Sequence, residues 1–229
     1  MQPPEKLLRY YGMHSGIYDA TRWTFLFGRQ RLLRELGLSD PPERILEVGC
    51  GTGVNLLTLG RLFPQAQLLG MDASGRMLER ARRRLGPLSS RVTLREAYYH
   101  SPLRLQPAPD LICFSYCLSM VNPGWDRVIE AAAADLAPHG AIAVVDFHAS
   151  SHPWFRRWMA WNHVRLEGHL LPALAAHFAT TSLKVESAYA GLWRYFLFVG
   201  RARSRPEPGH VLPVSHRTSV RIPLSGCSV

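Results

Sequence analysis

The sequence predicts an α/β fold: a mostly parallel sheet with helices on both faces and an antiparallel hairpin at its C-terminal edge. Three observations predict it. Short apolar runs alternate with longer helix-patterned ones over residues 43–147, a glycine-rich turn "EVGCGTG" joins the first run to the first helix, and two β-like runs close the pattern with no helix between them.

Residues 1–42 are aromatic and basic and end at "SDPPER", where Asp40 and the Pro41-Pro42 pair stop any preceding helix. This segment is expected to be a helical cap. The alternation follows: "RILEV" then "NLLTLGRLF", "QLLGMD" then "RMLERARRRLG", "VTLREA", "DLICFSY" then "WDRVIEAAAADLA", and "AIAVVDF". One helical stretch, "HPWFRRWMAWNHVRLEGHLLPALAAHFA", within residues 151–180, is expected as a lid or a membrane-facing insertion before the final pair "SLKVESAY" and "YFLFVGRA". The main domain is therefore residues 43–202. Residues 203–229 are rich in Pro, Arg and Ser without periodicity, the composition of a disordered tail.

With 229 residues and 47% hydrophobic composition, the chain can bury one good core. No apolar run reaches the roughly 18–20 residues that cross a bilayer, and the N-terminus lacks the apolar segment of a secretory signal, which points to the cytoplasm. Four cysteines without CxxC or zinc spacing argue for reduced thiols and no metal. The net charge of +10, carried mostly by arginine, favours an anionic partner without choosing between nucleic acid, a membrane surface and solvent.

The glycine turn carries the chemistry. An apolar strand that ends in Gly49, Cys50, Gly51, Thr52 and Gly53 and opens into a helix presents backbone amides and a helix N-terminus to a ligand. Asp72 ends the second strand, where a carboxylate can accept ribose hydroxyls, and Glu96 ends the third, where it can face an adenine edge. Glu47 precedes the first glycine and Asn55 stands where a dinucleotide site has its third glycine, so the pattern departs from a pyrophosphate fingerprint. An acid at that place suits a cofactor that presents an ammonium group, as S-adenosyl-L-methionine does.

The successive motifs "LEVGCGTG", "GMDAS", "REA", "DLICFSYCLSM" and "LAPHGAIAVVDF" resemble those of class I S-adenosylmethionine-dependent methyltransferases, whose sheet is Rossmann-like. The resemblance implies that the loop of residues 49–53 lies against the methionine moiety, that Asp72 and Ala73 meet the ribose, that Glu96 and Ala97 lie near the adenine, and that Ser115 also borders the cofactor. The flanking segments "IYDATRWTFLFGRQRLL", "SYCLSMV", "FRRWMAWNHVRLEGHLLPAL" and "GLWRYFLFVGR" are similar to diacylglyceryl homoserine N-methyltransferases of betaine-lipid synthesis. That similarity implies three methyl transfers to the homoserine nitrogen of a membrane lipid. It also implies a separate aminocarboxypropyl transferase that makes the amino-lipid.

Methyl transfer to an amine is an in-line displacement, so the protein must align the reactants, exclude water and remove the amine's proton. The carboxyl ends of the fourth and fifth strands place Tyr116, Asp146 and His148 as catalytic candidates. Tyr18, Trp23, Tyr98 and Tyr99 could complete an aromatic cage for the growing quaternary ammonium, and Arg22 or Arg194 could hold a carboxylate; ordinary packing explains each aromatic equally well. Trp154, Trp158 and Trp161 share one helical face beside Arg157 and Arg165, a composition that fits either an anionic membrane surface or a lid.

The expected function is therefore a lipid N-methyltransferase, peripheral on the inner face of the membrane. A methyltransferase for a phospholipid amine or small soluble amine is the alternative. A non-catalytic binding module that keeps the cofactor fold is the alternative from another class. Nucleic acid is not expected, because the Asn-Pro-Pro-aromatic motif of base methylation is absent where "SYCLSM" stands.

Overall fold

The structure, a computed structural model, describes residues 26–38 and 40–203. Seven strands form one sheet: β1 (Arg44–Val48), β2 (Gln67–Asp72), β3 (Val92–Glu96), β4 (Leu111–Ser115), β5 (Ala141–Ala149), β6 (Phe178–Ala188) and β7 (Trp193–Ala202). Their order is β3-β2-β1-β4-β5-β7-β6. The first five are mutually parallel, and β7 runs antiparallel to both β5 and β6. The chain thus builds outward from β1 in one direction through β2 and β3, then returns to the other side with β4. A crevice opens at that reversal, beyond the carboxyl ends of β1 and β4.

Side-chain alternation assigns the sheet's two faces. Ile45, Cys113, Val145 and Phe147 point to one side, where they pack with α1 (Arg29–Arg34), α2 (Val54–Leu62), α3 (Gly75–Arg84) and α5 (Pro153–Trp161). Leu46, Ile112, Phe114, Val144 and Phe196 point to the other, against α4 (Trp125–Asp135) and α6 (Leu170–His177). Central β4 is buried along its whole length, as a parallel strand covered on both faces must be, whereas the edge strand β3 is mostly exposed or half-buried.

Local chemistry sets the helix ends. Ser74 caps α3 by accepting the Met77 amide at 3.4 Å, and Arg82, Arg83 and Arg84 occupy its last turn, where the helix dipole favours cations. Pro153 opens α5 at the position where a missing N–H costs nothing. The one long helical stretch expected within residues 151–180 is instead two helices. His163 (φ 62°) and Gly168 (φ 70°) turn left-handed between them, and the intervening loop is tied down by Arg165 N donating to Ser119 O at 3.1 Å and Gly168 N to His148 O at 2.8 Å.

The described part of the leading segment, α1, docks on the hairpin edge. Arg31 pairs with Glu186, and Lys184 Nζ meets Glu35 at 2.6 Å. The chain enters α1 through Gly28 (φ 78°), where a Cβ would lie 2.7 Å from the Tyr195 ring, so the backbone approach needs glycine.

Asp135 closes α4 against the loop after β3. Its buried carboxylate accepts the Tyr99 hydroxyl at 2.8 Å and the amides of Leu103 and Arg104 at 2.7 and 2.8 Å. Asp135→Ala is expected to cost about 2–4 kcal/mol by orphaning those donors, and Tyr99→Phe about 1 kcal/mol. Urea denaturation measures both; unaltered midpoints would show that the network carries no stability.

Candidate active site

The turn after β1 is left-handed three times: Gly49, Gly51 and Gly53 have φ of 70°, 53° and 74°. Bulk is excluded as well as disfavoured. A Cβ at Gly49 would lie 2.6 Å from Cys117 Sγ, and one at Gly53 would lie 2.8 Å from Leu85 Cδ1. The turn is braced from β2, since Asp72 accepts the Gly51 amide at 2.8 Å through one carboxylate oxygen and the Ser74 amide at 2.9 Å through the other. Ala73 follows in the same bend.

Glu47 is 1% exposed, and its Oε1 accepts from Asn55 Nδ2 at 2.8 Å, which joins the end of β1 to the first turn of α2. Both line a small cleft with Arg29, Gly49, Cys50, Thr52, Val54 and Ser115. Ser115 Oγ is buried in it with no protein hydrogen-bond partner. Burial, then Glu47 and Asp72, push the Cys50 thiol well up, so Cys50 is a packed thiol and not a nucleophile. Arg29 was not among the residues chosen from the sequence; the available signal was its place directly after Gly28 in "FLFGRQ".

Glu96 lies opposite Asp72 in the β2–β3 register, and Ala97 N donates to Asp72 O at 3.1 Å. The exposed Glu96 carboxylate reaches over the start of α3, where a Cβ on Gly75 would be 2.7 Å from Oε2. The residues the resemblance assigned to the cofactor thus fall along one crevice from β1 to β3.

The three catalytic candidates do not converge. Asp146 is fully buried and accepts the amides of Cys117 and Ser119 through Oδ2, each at 3.1 Å, and that of Phe147 through Oδ1 at 2.8 Å. Burial pushes its carboxyl up to about 6, against the lowering effect of those bonds. It clamps the turn that begins at Tyr116, a non-glycine residue held at φ 51°. The candidate role of Asp146 in proton transfer is corrected accordingly: it is wholly buried and its oxygens accept backbone amides.

Tyr116 also departs from expectation. Its hydroxyl donates to Phe27 O at 2.8 Å and its ring meets Phe147 edge-on at 4.7 Å, on the α1 side of the sheet. Burial raises that hydroxyl well above the usual phenol range. Tyr116 is therefore a tether for the leading segment. Tyr99 is corrected for a similar reason, because it is buried in the α4-side core and bound to Asp135.

His148 lies at the carboxyl end of β5, on the α4 side. Its ring meets Phe196 edge-on at 6.3 Å and packs over Gly168. Nδ1 is buried without a protein partner, and burial followed by the Arg194 cation lowers its pKa, so the imidazole is neutral near pH 7. Exposed Arg194 sits on β7 opposite Ala149. Tyr98 is half-buried and stacked on His100 at 5.9 Å, with Cys117 close enough to raise its hydroxyl further after burial. Tyr18, Arg22 and Trp23 lie outside the described residues.

A family profile described as a methyltransferase domain matches residues 20–192. Trans-aconitate 2-methyltransferase of Methylobacterium nodulans is 34% identical over 119 residues, 51% of this chain and 44% of the relative. Malonyl-(acyl-carrier protein) O-methyltransferase of Legionella pneumophila is 38% identical over 97 residues, 40% of this chain and 34% of the relative. The chain thus matches less than half the length of either. Among solved structures, N-methyltransferase NodS of Bradyrhizobium japonicum WM9, bound to S-adenosyl-L-homocysteine, superposes with a TM-score of 0.63 at 19% identity, covering 76% of this chain and 85% of that one. Geranyl diphosphate C-methyltransferase of Streptomyces coelicolor gives 0.65 at 14% identity, covering 76% and 79%. These proteins are named for transfer to oxygen, nitrogen and carbon, so the fold does not choose the acceptor atom. The chain belongs to the methyltransferase domain family, and its sheet is that of the S-adenosyl-L-methionine-dependent methyltransferases.

Proposed function

We propose that the protein is an N-methyltransferase that uses S-adenosyl-L-methionine to convert the homoserine amine of a diacylglyceryl lipid to the trimethylated betaine. The residues at the cleft suit this cofactor: Glu47 an ammonium, Arg29 a carboxylate, and Asp72, at the end of β2, ribose hydroxyls. Ser115 Oγ offers a further polar contact, and Glu96 with Ala97 borders the adenine end. When bound, the cofactor supplies a methyl group on a sulfonium, which an in-line nucleophile displaces.

The observation that carries the choice of an amine is His148. An amine near neutral pH arrives protonated and needs a base, whereas a carboxylate acceptor needs none. A neutral imidazole at the carboxyl end of β5 is such a base. Arg194 beside it gives an amino-acid headgroup a cation for its carboxylate while the amine faces His148. Tyr98, half-buried in the segment after β3, is a further ring available to the quaternary product. Asp146 acts through the turn it clamps.

A second reading, methylation of a carboxylate oxygen, is favoured by the names of the two curated relatives. It makes His148 dispensable, and this separates the two.

Asp72→Ala is expected to weaken cofactor binding by about tenfold or more, through lost ribose contacts and a loosened glycine turn, with the fold retained by circular dichroism. Unchanged affinity in a calorimetric titration would contradict the assigned pocket. For His148, the lowered pKa means that the active neutral form grows as pH rises through a midpoint below the ordinary imidazole range. Wild-type kcat should therefore show that acid limb. His148→Gln should lose the limb, fall about 10²-fold in kcat near neutrality, and keep its cofactor affinity. An unchanged pH profile and turnover would favour the carboxylate reading.

A further inference from the structure

Seven large hydrophobic side chains are exposed among the described residues, and five of them belong to one aromatic surface. Phe27 and Tyr189 meet edge-on at 5.5 Å, Tyr189 lies 4.9 Å from Trp193, and Trp193 stacks on Phe155 at 5.3 Å. Phe155 in turn touches Trp154 at 5.6 Å and Trp158 at 5.7 Å. Beneath, Phe155 and Met159 anchor α5 to the core; above, Trp154, Trp158 and Trp161 are 61%, 44% and 84% exposed.

Contiguous exposed apolar surface marks an interaction site, and burying tryptophan on one is strongly favourable. We infer that this aromatic face docks the enzyme on an anionic lipid bilayer, with α5 lying in the plane of the interface.

Three features select that occupant. The exposed anchors on α5 are all tryptophan, which favours the headgroup boundary of a bilayer. The helix sequence "PWFRRWMAW" holds two arginines and no acid, and Arg157 is exposed, so the surface complements anionic headgroups. A second copy of the same face would set these arginines against their own kind. At nine residues α5 is far too short to cross a bilayer, and no described helix is long and apolar enough to do so. Lying flat is the geometry left to it.

The face also adjoins the active site. Phe27 accepts the Tyr116 hydroxyl through its carbonyl, and Arg29, two residues on, lines the cofactor cleft. Docking there would hold the mouth of the cleft at headgroup level. This deepens the lipid-acceptor reading, on which it rests for its biological meaning; vesicle partitioning is measured without acceptor or methyl transfer, so the two can fail separately.

The test is partitioning of the full chain onto phosphatidylcholine–phosphatidylglycerol vesicles and onto pure phosphatidylcholine vesicles, at low and high salt. The Trp154→Ser, Trp158→Ser, Trp161→Ser triple variant should lose at least about tenfold in binding to the anionic vesicles at both salt levels, while binding cofactor as the wild type does. Leu183→Ser, which removes an exposed apolar side chain elsewhere, should bind normally. Arg157→Gln should weaken binding at low salt alone. Wild-type tryptophan emission should shift to the blue on vesicles and be quenched by brominated acyl chains, and both responses should vanish in the triple variant. Wild-type-like partitioning of the triple variant would overturn the proposal. So would a concentration-dependent oligomer, seen by ultracentrifugation, that the same three substitutions abolish.

Discussion

The crevice depends on one turn in which side chains are excluded. Residues 49–53 are left-handed at each glycine, and the space a Cβ would need is already taken by Cys117 on the β4 side and Leu85 at the end of α3. The same contacts that forbid bulk also set the distances between β1, the loop after β4 and the α3 layer. Asp72 completes the arrangement by accepting amides from Gly51 and Ser74, so a single carboxylate registers the β1 turn against the start of α3. An L side chain at any of the three glycines would require strained φ, and at Gly49 or Gly53 a displaced neighbour as well.

Around this fixed turn the sheet separates two kinds of work. On the α1 side, Tyr116 ties the leading segment down through Phe27 O, and the aromatic rings that follow lead outward to α5. On the α4 side, His148 stands at the end of β5 over Gly168, with Arg194 as its neighbouring cation. Asp146 links the two. By clamping the amides of Cys117 and Ser119 it holds Tyr116 in its left-handed conformation and keeps the β4 loop against Gly49. His148 and the docked leading segment thus lie on opposite faces, joined by the Asp146 carboxyl, which burial pushes up to about 6.

Much of this was legible in the sequence because it is local. The short apolar run "QLLGMD" ends in an acid, and it forms β2 with Asp72 at its end; the three glycines of "EVGCGTG" between an apolar run and a helical pattern mark a strand-to-helix turn, and they form one. What was not legible depends on partners distant in the chain. Tyr116 finds a carbonyl 89 residues away and Tyr99 a carboxylate 36 residues away, so a free phenol could not be told from a tether. Arg29 is one of several arginines in the leading segment, and only the docking of α1 brings it to the cleft. The break at His163 was hidden because a non-glycine residue in the left-handed region carries no composition signal.

The central claim is that the methyl acceptor is an amine on a lipid. The direct measurement is transfer from labelled S-adenosyl-L-methionine in one reaction that offers diacylglyceryl homoserine in mixed vesicles together with trans-aconitate in solution, with products resolved by mass. Mono-, di- and trimethylated lipid with unmodified trans-aconitate is the predicted result. A methyl ester of trans-aconitate with no methylated lipid would contradict the claim and move the acceptor atom from nitrogen to carboxylate oxygen.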